Sequence, residues 1–456
     1  MAMGKRGDRQ SGMWVATTAL AKAPSHPFYQ ALNRVLSRER FDAFVEERCQ
    51  PFYAKRMGRP SLPPAVYFRL LLIGYFEGID SERGIAWRVA DSMTLREFLS
   101  YELSEATPDH STISRNRRLL ALEVHQEVFS WILAVLTKEE LLRGKTLGVD
   151  ATTLEANAAL RSIVRRDTGE GYQEFLTRLA KASGIETPTR EDLARLDRDR
   201  KGKGSNKDWR HPFDPDARIA KMKDGRTHLA HKAEHAVDLE TGAVVGVTLQ
   251  PADRGDTQSL EKTIDETAEA LAASFGDGEE KVAEPSEELM TELVADRGYH
   301  SGAVLVEQVE RGIRTYISEP KRGRRRWQGK REEQAATYAN RRRTGGTRGK
   351  RLARLRAEKA ERTFAHCYET GGMRRTHLRG HENILKRLVI HVGGFNLALV
   401  MRKMIGIGKP RRLQGLAAAA LAAVLMLLRA IRRLTAAFMR SGYDASATAL
   451  PTLHVR

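Results

Sequence analysis

Cysteine is almost missing from this chain of 456 residues: Cys49 and Cys367 stand far apart, without any C-x-x-C spacing. That excludes a disulfide framework and a thiolate zinc site, and it fits a reducing compartment. Long apolar runs are scarce as well. The most apolar stretch, Gly415 to Leu428, is closed by Arg429, Arg432 and Arg433 and falls short of the roughly 20 residues that cross a bilayer, so it reads as a packing helix. The first residues, MAMGKRGDRQSGMW, are basic and polar and lack the apolar stretch of about 7–15 residues that a signal peptide needs; no export is expected. Acids are in the minority, 58 against 77 Lys and Arg, which leaves a formal charge of +19. Such a surplus attracts a dense polyanion, nucleic acid before all others. A membrane surface fits less well, because the basic residues are spread over several segments and not gathered on one amphipathic anchor.

A hydrophobic content of 41% supports a conventional core in two or three units. Residues 1–26 read as a basic tail. From 27 to 143 the apolar residues recur at three- and four-residue spacing, as in FYQALNRVL, AVYFRLLLIGYF and HQEVFSWILAVL, which predicts an all-helical domain. The pattern changes at Thr146: TLGVDATTLEA reads as a strand that carries Asp150. A second domain, 144–408, then mixes strands and helices. It contains a charged, turn-rich insertion at about 162–224, a strand pair in THLAHKAEHAVDL and AVVGVTLQPA joined at Glu240 to Gly242, and a helix near Gln258 to Ala273. Further on come a strand ending at Asp296, a helix near Ala303 to Glu310, the strand RTYISEP, a basic loop at about 320–350 and an amphipathic helix from about Asn383 to Met404. That alternation predicts an α/β fold with a mixed sheet. Residues 409–456 form a C-terminal helix and tail, Ala- and Leu-rich, suited to docking or self-association. There is no internal repeat.

Asp150 lies inside a strand, and Asp296 ends another immediately before Arg297, Gly298 and Tyr299. Both would project from one edge of the sheet, with an acid from a later helix facing them. Carboxylates held that close repel one another and take up protons unless divalent cations neutralise them. For the helical acid the residues offer Glu361, Glu358 one turn away, and Glu382 in LRGHENILK.

The runs GVDATTLEAN, DARIAKMKDGRTHLAHKAEHAVDLETGAVV, VADRGYHS and ERTFAHCYETGGMRRTHLRG, taken in order, resemble the DDE transposases of bacterial insertion sequences, of the insertion-sequence-five superfamily, over roughly residues 40 to 410. The resemblance implies a ribonuclease-H-like catalytic domain behind a helical DNA-binding domain. It implies that Asp150, Asp296 and Glu361 are the catalytic and metal-binding acids, holding two Mg²⁺ ions with Mn²⁺ as a substitute. It also implies cleavage and strand transfer on double-stranded DNA, a homodimer bridging element ends, and residence in the bacterial cytoplasm at the nucleoid. Many relatives have a Tyr and Arg before the Glu and a basic residue seven positions after it; here position 357 is Ala and position 368 is Tyr.

For DNA contact, PDHSTISRNRRLL offers a helix capped at Asp109, Ser111 or Thr112 that presents Ser114, Arg115, Arg117 and Arg118. Between Lys321 and Arg356 lie fifteen Lys and Arg, among them Arg324, Arg325, Arg326, Arg341, Arg342 and Arg343, with Trp327 and Tyr338 placed to stack on a base. His228, His231 and His235 share one strand, where His228 and His231 face opposite ways, so a zinc site is not expected. GGTRGKR near Gly345 fails the phosphate-loop spacing, and no nucleotide is expected.

Overall fold

The computed structural model describes residues 26–413, apart from 55–60, 103, 201–203, 223–224, 277–288, 322 and 324, together with 424–429 and 431–432. The expected N-terminal tail therefore lies almost wholly outside the described residues, as does most of the C-terminal run.

Among the described residues seven α-helices come first: α1 (Pro27–Arg38), α2 (Phe41–Cys49), α3 (Pro64–Glu77), α4 (Glu82–Ala90), α5 (Met93–Phe98), α6 (His110–Leu119) and α7 (Leu122–Lys138). Their limits follow local chemistry. Pro64 occupies the first turn of α3, where its missing N–H costs nothing, and Gly78 ends the helix at φ 68°. Ser81, Ser92 and Asp109 cap α4, α5 and α6 by accepting from Gly84 N, Leu95 N and Ser111 N.

β1 (Thr146–Glu155) begins the sheet. The insertion follows, built from β2 (Val164–Arg165), α8 (Tyr172–Ala182), α9 (Arg190–Asp199) and β3 (Trp209–Arg210). It has a small core of its own: Trp209 is buried against Ile163 with Tyr172 and Phe175 at its edges, and Leu176, Ala180 and Leu193 join the two helices. Aromatics dispersed along a charged sequence hid this core. β4 (Arg218–Lys221), β5 (Thr227–Asp238), β6 (Val244–Pro251), α10 (Asp256–Gly276), β7 (Glu292–Ala295), α11 (Gly302–Glu310) and β8 (Arg314–Ile317) come next. The turn between β5 and β6 contains Gly242 at φ 83°, as the strand pair expected. The chain then forms α12 (Arg331–Gly345), α13 (Thr347–Phe364) and α14 (His381–Ile405). Most of the stretch expected as a basic loop is thus helical. Its Arg residues are strong helix formers, Glu332 and Glu333 occupy the first turn of α12, and Arg343 anchors that helix by donating to the carbonyl and hydroxyl oxygens of Thr315.

β1 is central. β5 pairs with it antiparallel on one side, with β4 and β6 sharing the far edge of β5; on the other side β7 and then β8 run parallel to it. The outer edges of β6 and β8 are each met by a buried asparagine. Asn396 of α14 accepts from Val244 N (2.9 Å) and donates to its carbonyl (2.7 Å), while Asn340 of α12 does the same at Ile317 (3.0 and 2.8 Å). Each amide imitates a neighbouring strand and so satisfies backbone groups that an edge would leave open.

α14 was expected to be amphipathic but is buried along most of its length, because it packs between α3, α7 and β6. Among the described residues it lies in the one single helix long and apolar enough to cross a membrane, and 94% of that apolar window is inside the protein. One continuous core consequently joins the helical region to the sheet. The change near residue 143 is a change of secondary structure, not of core.

Candidate active site

The β1–β7 register pairs Thr146 with Glu292 and Gly148 with Val294. Continued by two residues, the same offset sets Asp150 opposite Asp296. The alternation of side chains puts both on the face covered by α13, since Val294 packs there against Leu352 and Gly148 lies beneath Arg356. Neighbouring strands run about 4.8 Å apart, so the continued register brings the backbone of Asp150 and that of Asp296, the residue just after β7, to one level of the sheet. Asp296 Oδ1 also accepts from Gly298 N (2.8 Å), capping the short turn Arg297–Tyr299. That turn is tied down from the opposite face, where Tyr299 O–H donates to the buried Glu234 (2.7 Å), which also accepts from Ser259 and Thr263 of α10.

Asp150 is already paired. Its Oδ1 accepts from Ala151 N (2.9 Å), and its Oδ2 meets Nη1 of Arg356 at 2.7 Å, the two side chains being 22% and 15% exposed. The aliphatic stem of Arg356 reaches this point because residue 148 is glycine: a Cβ there would stand 3.0 Å from Arg356 Cγ. α13 is set in rotation by His235, which lies opposite Asp150 on β5. Tyr368 O–H donates to His235 Nε2 (2.6 Å), which leaves Nδ1–H for Thr363 Oγ1 (3.1 Å), and Thr363 passes its own hydrogen to the Ala360 carbonyl (2.8 Å). Burial holds this imidazole neutral, its pKa pushed down to about 3.

Glu361 does not reach the two aspartates in this arrangement. It is exposed, and lies five residues, or about 140° of helix, beyond Arg356. Glu358 is exposed on the side opposite Arg356, and Glu382 pairs with Lys386 on α14 (2.6 Å). Among the described residues no three of His, Cys, Asp or Glu are gathered closely enough to hold a metal ion. Two register-matched aspartates nevertheless suit Mg²⁺, which is commonly held by one or two carboxylates and keeps several waters.

Three neighbours of this site, Asp256, Arg374 and Arg356, were not among the residues picked out from the sequence. Asp256, the first residue of α10, crowds Gly298 beside Asp296 and is paired with Lys232 (2.5 Å). Arg374 donates to Thr152 Oγ1 and the Thr153 carbonyl on β1 (both 3.2 Å), and its chain segment hydrogen-bonds the end of β1 through Glu155. Of these, Arg356 carried a signal: the spacing Leu352, Arg356, Ala360, Thr363 marks one helical face.

Of the expected DNA contacts on α6, Arg115 and Arg118 are exposed and Ser114 is half-buried. Arg117 is turned inward, 6% exposed, paired with Glu82 at 2.8 Å and bonded to Asn383 of α14. In the basic segment Arg324 lies outside the described residues. Arg325 stacks on Trp327 and pairs with Glu319; Arg341 makes a bidentate pair with Glu319 (2.9 and 3.1 Å) over the Tyr338 ring. Arg326 and Arg342 are exposed, while Arg343 serves the fold. A further polar cluster sits away from the aspartates, where buried His231 meets Asp214 (3.4 Å) and the ring of His381.

Two family models match the chain: a Transposase domain (DUF772) over residues 18–119 and a Transposase DDE domain over residues 199–397. Asp296 and Glu361 fall within the second, and Asp150 falls between the two. No curated protein and no solved structure matches the chain. Helical region, mixed sheet and these two matched stretches together support a DDE transposase of insertion-sequence type.

Proposed function

We propose that the chain binds insertion-sequence ends and cuts and joins DNA by metal-dependent in-line attack at phosphorus. The observation that carries this reading is the parallel register of β1 with β7, which, run on by two residues, brings Asp150 and Asp296 to one level of the sheet. Divalent cations bound between them and the DNA would activate the attacking oxygen and stabilise the leaving one. The protein's own part is to position. β1 and β7 fix the two aspartates, the Glu234 network fixes the turn after Asp296, and exposed arginines on α6 and α12 hold phosphates. In this reading the domain is ribonuclease-H-like, an antiparallel meander continued by two parallel strands with helices on both faces. Water first frees a 3′-hydroxyl, which then attacks target DNA at the same acids; a homodimer on the bacterial nucleoid would bring two ends together. Glu361 is the third acid, and the five-residue π-helical turn that follows it, Ala365–Glu369, is the element that would let it turn inward.

A second reading, a DNA-binding protein that keeps the fold without the chemistry, is favoured by the Arg356–Asp150 pair and by the outward Glu361. A third, a nuclease without strand transfer, shares the same site. Incubating the full chain with a DNA fragment library and Mg²⁺, then sequencing new junctions, separates them. The transposase reading expects joined ends that vanish in Asp150→Asn and Asp296→Asn; binding without nicks supports the second reading, and nicks without junctions the third.

A further inference from the structure

We propose that Arg356 is the resident counter-ion of the aspartate pair and leaves it when a divalent cation binds, so that metal entry is gated by one side chain of α13. This rests on the reading of Asp150 and Asp296 as metal ligands. On that reading two carboxylates at one level of neighbouring strands call for a cation close by, and Arg356 supplies one at Asp150 Oδ2. Two other cations near the site have partners of their own: Lys232 binds Asp256 and Ser259 beside Glu234 on the far face, and Arg374 holds Glu369 and the Thr152–Thr153 backbone.

The Arg356 contact is built to be replaced. A guanidinium has donors and no lone pair, so it cannot itself ligate the ion, and its positive charge opposes a cation brought to the same carboxylate. Its buried Nη1 meets Oδ2 without the alignment of a hydrogen bond, so the attraction is Coulombic and a doubly charged ion competes on favourable terms. The side chain reaches Asp150 by passing over Gly148, where a Cβ would meet Leu239 Cδ2 at 2.5 Å and Arg356 Cγ at 3.0 Å. Arg356 in this role positions and gates; it is not itself a group that reacts.

The test is a Mn²⁺ titration of the full chain without DNA, followed by electron paramagnetic resonance of free Mn²⁺, on wild type, Arg356→Gln, Arg356→Lys and Asp150→Asn. If about one molecule in ten has Arg356 withdrawn, removing the competitor tightens Mn²⁺ binding about tenfold. Arg356→Gln is therefore expected to bind about tenfold tighter, Arg356→Lys to stay near wild type, and Asp150→Asn to lose the site. A purely structural role for Arg356 would weaken Mn²⁺ binding in Arg356→Gln, and an unchanged affinity would equally overturn the gate while Asp150→Asn still upholds the site. Unchanged Mn²⁺ binding in Asp150→Asn would instead overturn the metal site itself.

Discussion

Replacing either aspartate by asparagine should abolish chemistry, yet the two variants should move stability in opposite directions. Asp296→Asn keeps the cap on the turn, because an amide oxygen accepts from Gly298 N as a carboxylate does. It also removes one of two like charges. At about 5 Å their repulsion is roughly 0.8 kcal/mol at a dielectric of 80 and roughly 3 kcal/mol at 20. Both groups are partly exposed, so about 1 kcal/mol of stabilisation is expected in the metal-free protein. Asp150→Asn relieves the same repulsion but deprives Arg356, only 15% exposed, of its partner. Breaking a fully buried pair costs about 3–5 kcal/mol; for this half-shielded one about 2 kcal/mol is reasonable, leaving a net loss of about 1 kcal/mol. Urea unfolding in EDTA at low ionic strength reads the difference, about 2 kcal/mol between the variants. Adding salt to about 0.5 M should shrink the Asp296→Asn gain, because the ions screen the repulsion. An Asp296→Asn protein less stable than wild type at low salt, or a gain indifferent to salt, would refute the juxtaposition on which the site depends.

Asn340→Ala and Asn396→Ala should each cost about 2–4 kcal/mol, since each leaves a buried N–H and C=O of an edge strand unsatisfied; urea midpoints shifted by less than about 0.5 kcal/mol would show that the strand edges find other partners. Arg115→Ala and Arg118→Ala should weaken DNA binding and lower the slope of log affinity against log salt by about 0.9 for each lost phosphate contact. Arg117→Ala should leave that slope alone and lower the thermal midpoint, because Arg117 joins Glu82 and Asn383 inside the protein; a changed slope for Arg117→Ala and none for the others would reverse the assignment of the helix face.

Strands and their acids were legible because a period of two and a run of Val, Leu and Thr fix both the element and the side that Asp150 takes. The pairing of β1 with β7 was legible only as alternation of strands and helices; the register that aligns Asp150 with Asp296 depends on contacts across 146 residues of sequence. α12 was misread as loop because its charges outweigh its few apolar residues, although Arg and Glu favour helix when flanked by anchors such as Asn340 and Arg343. α14 was misread as amphipathic because a helix packed on several sides at once needs apolar residues all round, and its charged Lys386 and Arg387 are buried by bonding the Arg117 and Ile79 carbonyls. Arg117 on α6 looked like its neighbours in composition. Which arginine turns inward is decided by Glu82, 35 residues away.

Helix rotation is the quantity that sequence carries least well, and it decides the standing of Glu361. Turning all of α13 to bring Glu361 over Asp150 would pull Leu352 and Phe364 out of the core and break both hydrogen bonds to His235, which makes rigid rotation prohibitive. The π-helical turn offers a cheaper path. It holds one extra residue between Phe364 and Thr370; moved one turn toward the N-terminus, ahead of residue 361, that extra residue would rotate Glu361 by about 100° into the direction Ala360 now faces. Tyr368, beyond the moved turn, would keep its bond to His235. Thr363 would lose its own, a cost of about 1 kcal/mol, and Phe364 would repack. A cation at the aspartates would favour that shift by attracting a third carboxylate, while Arg356, which precedes the moved turn and keeps its place on the helix, would have to withdraw first. On the proposed reading, Arg356 out and Glu361 in would be two halves of one exchange of charge around Asp150, the cationic side chain of α13 giving way to an acidic one as a metal ion binds.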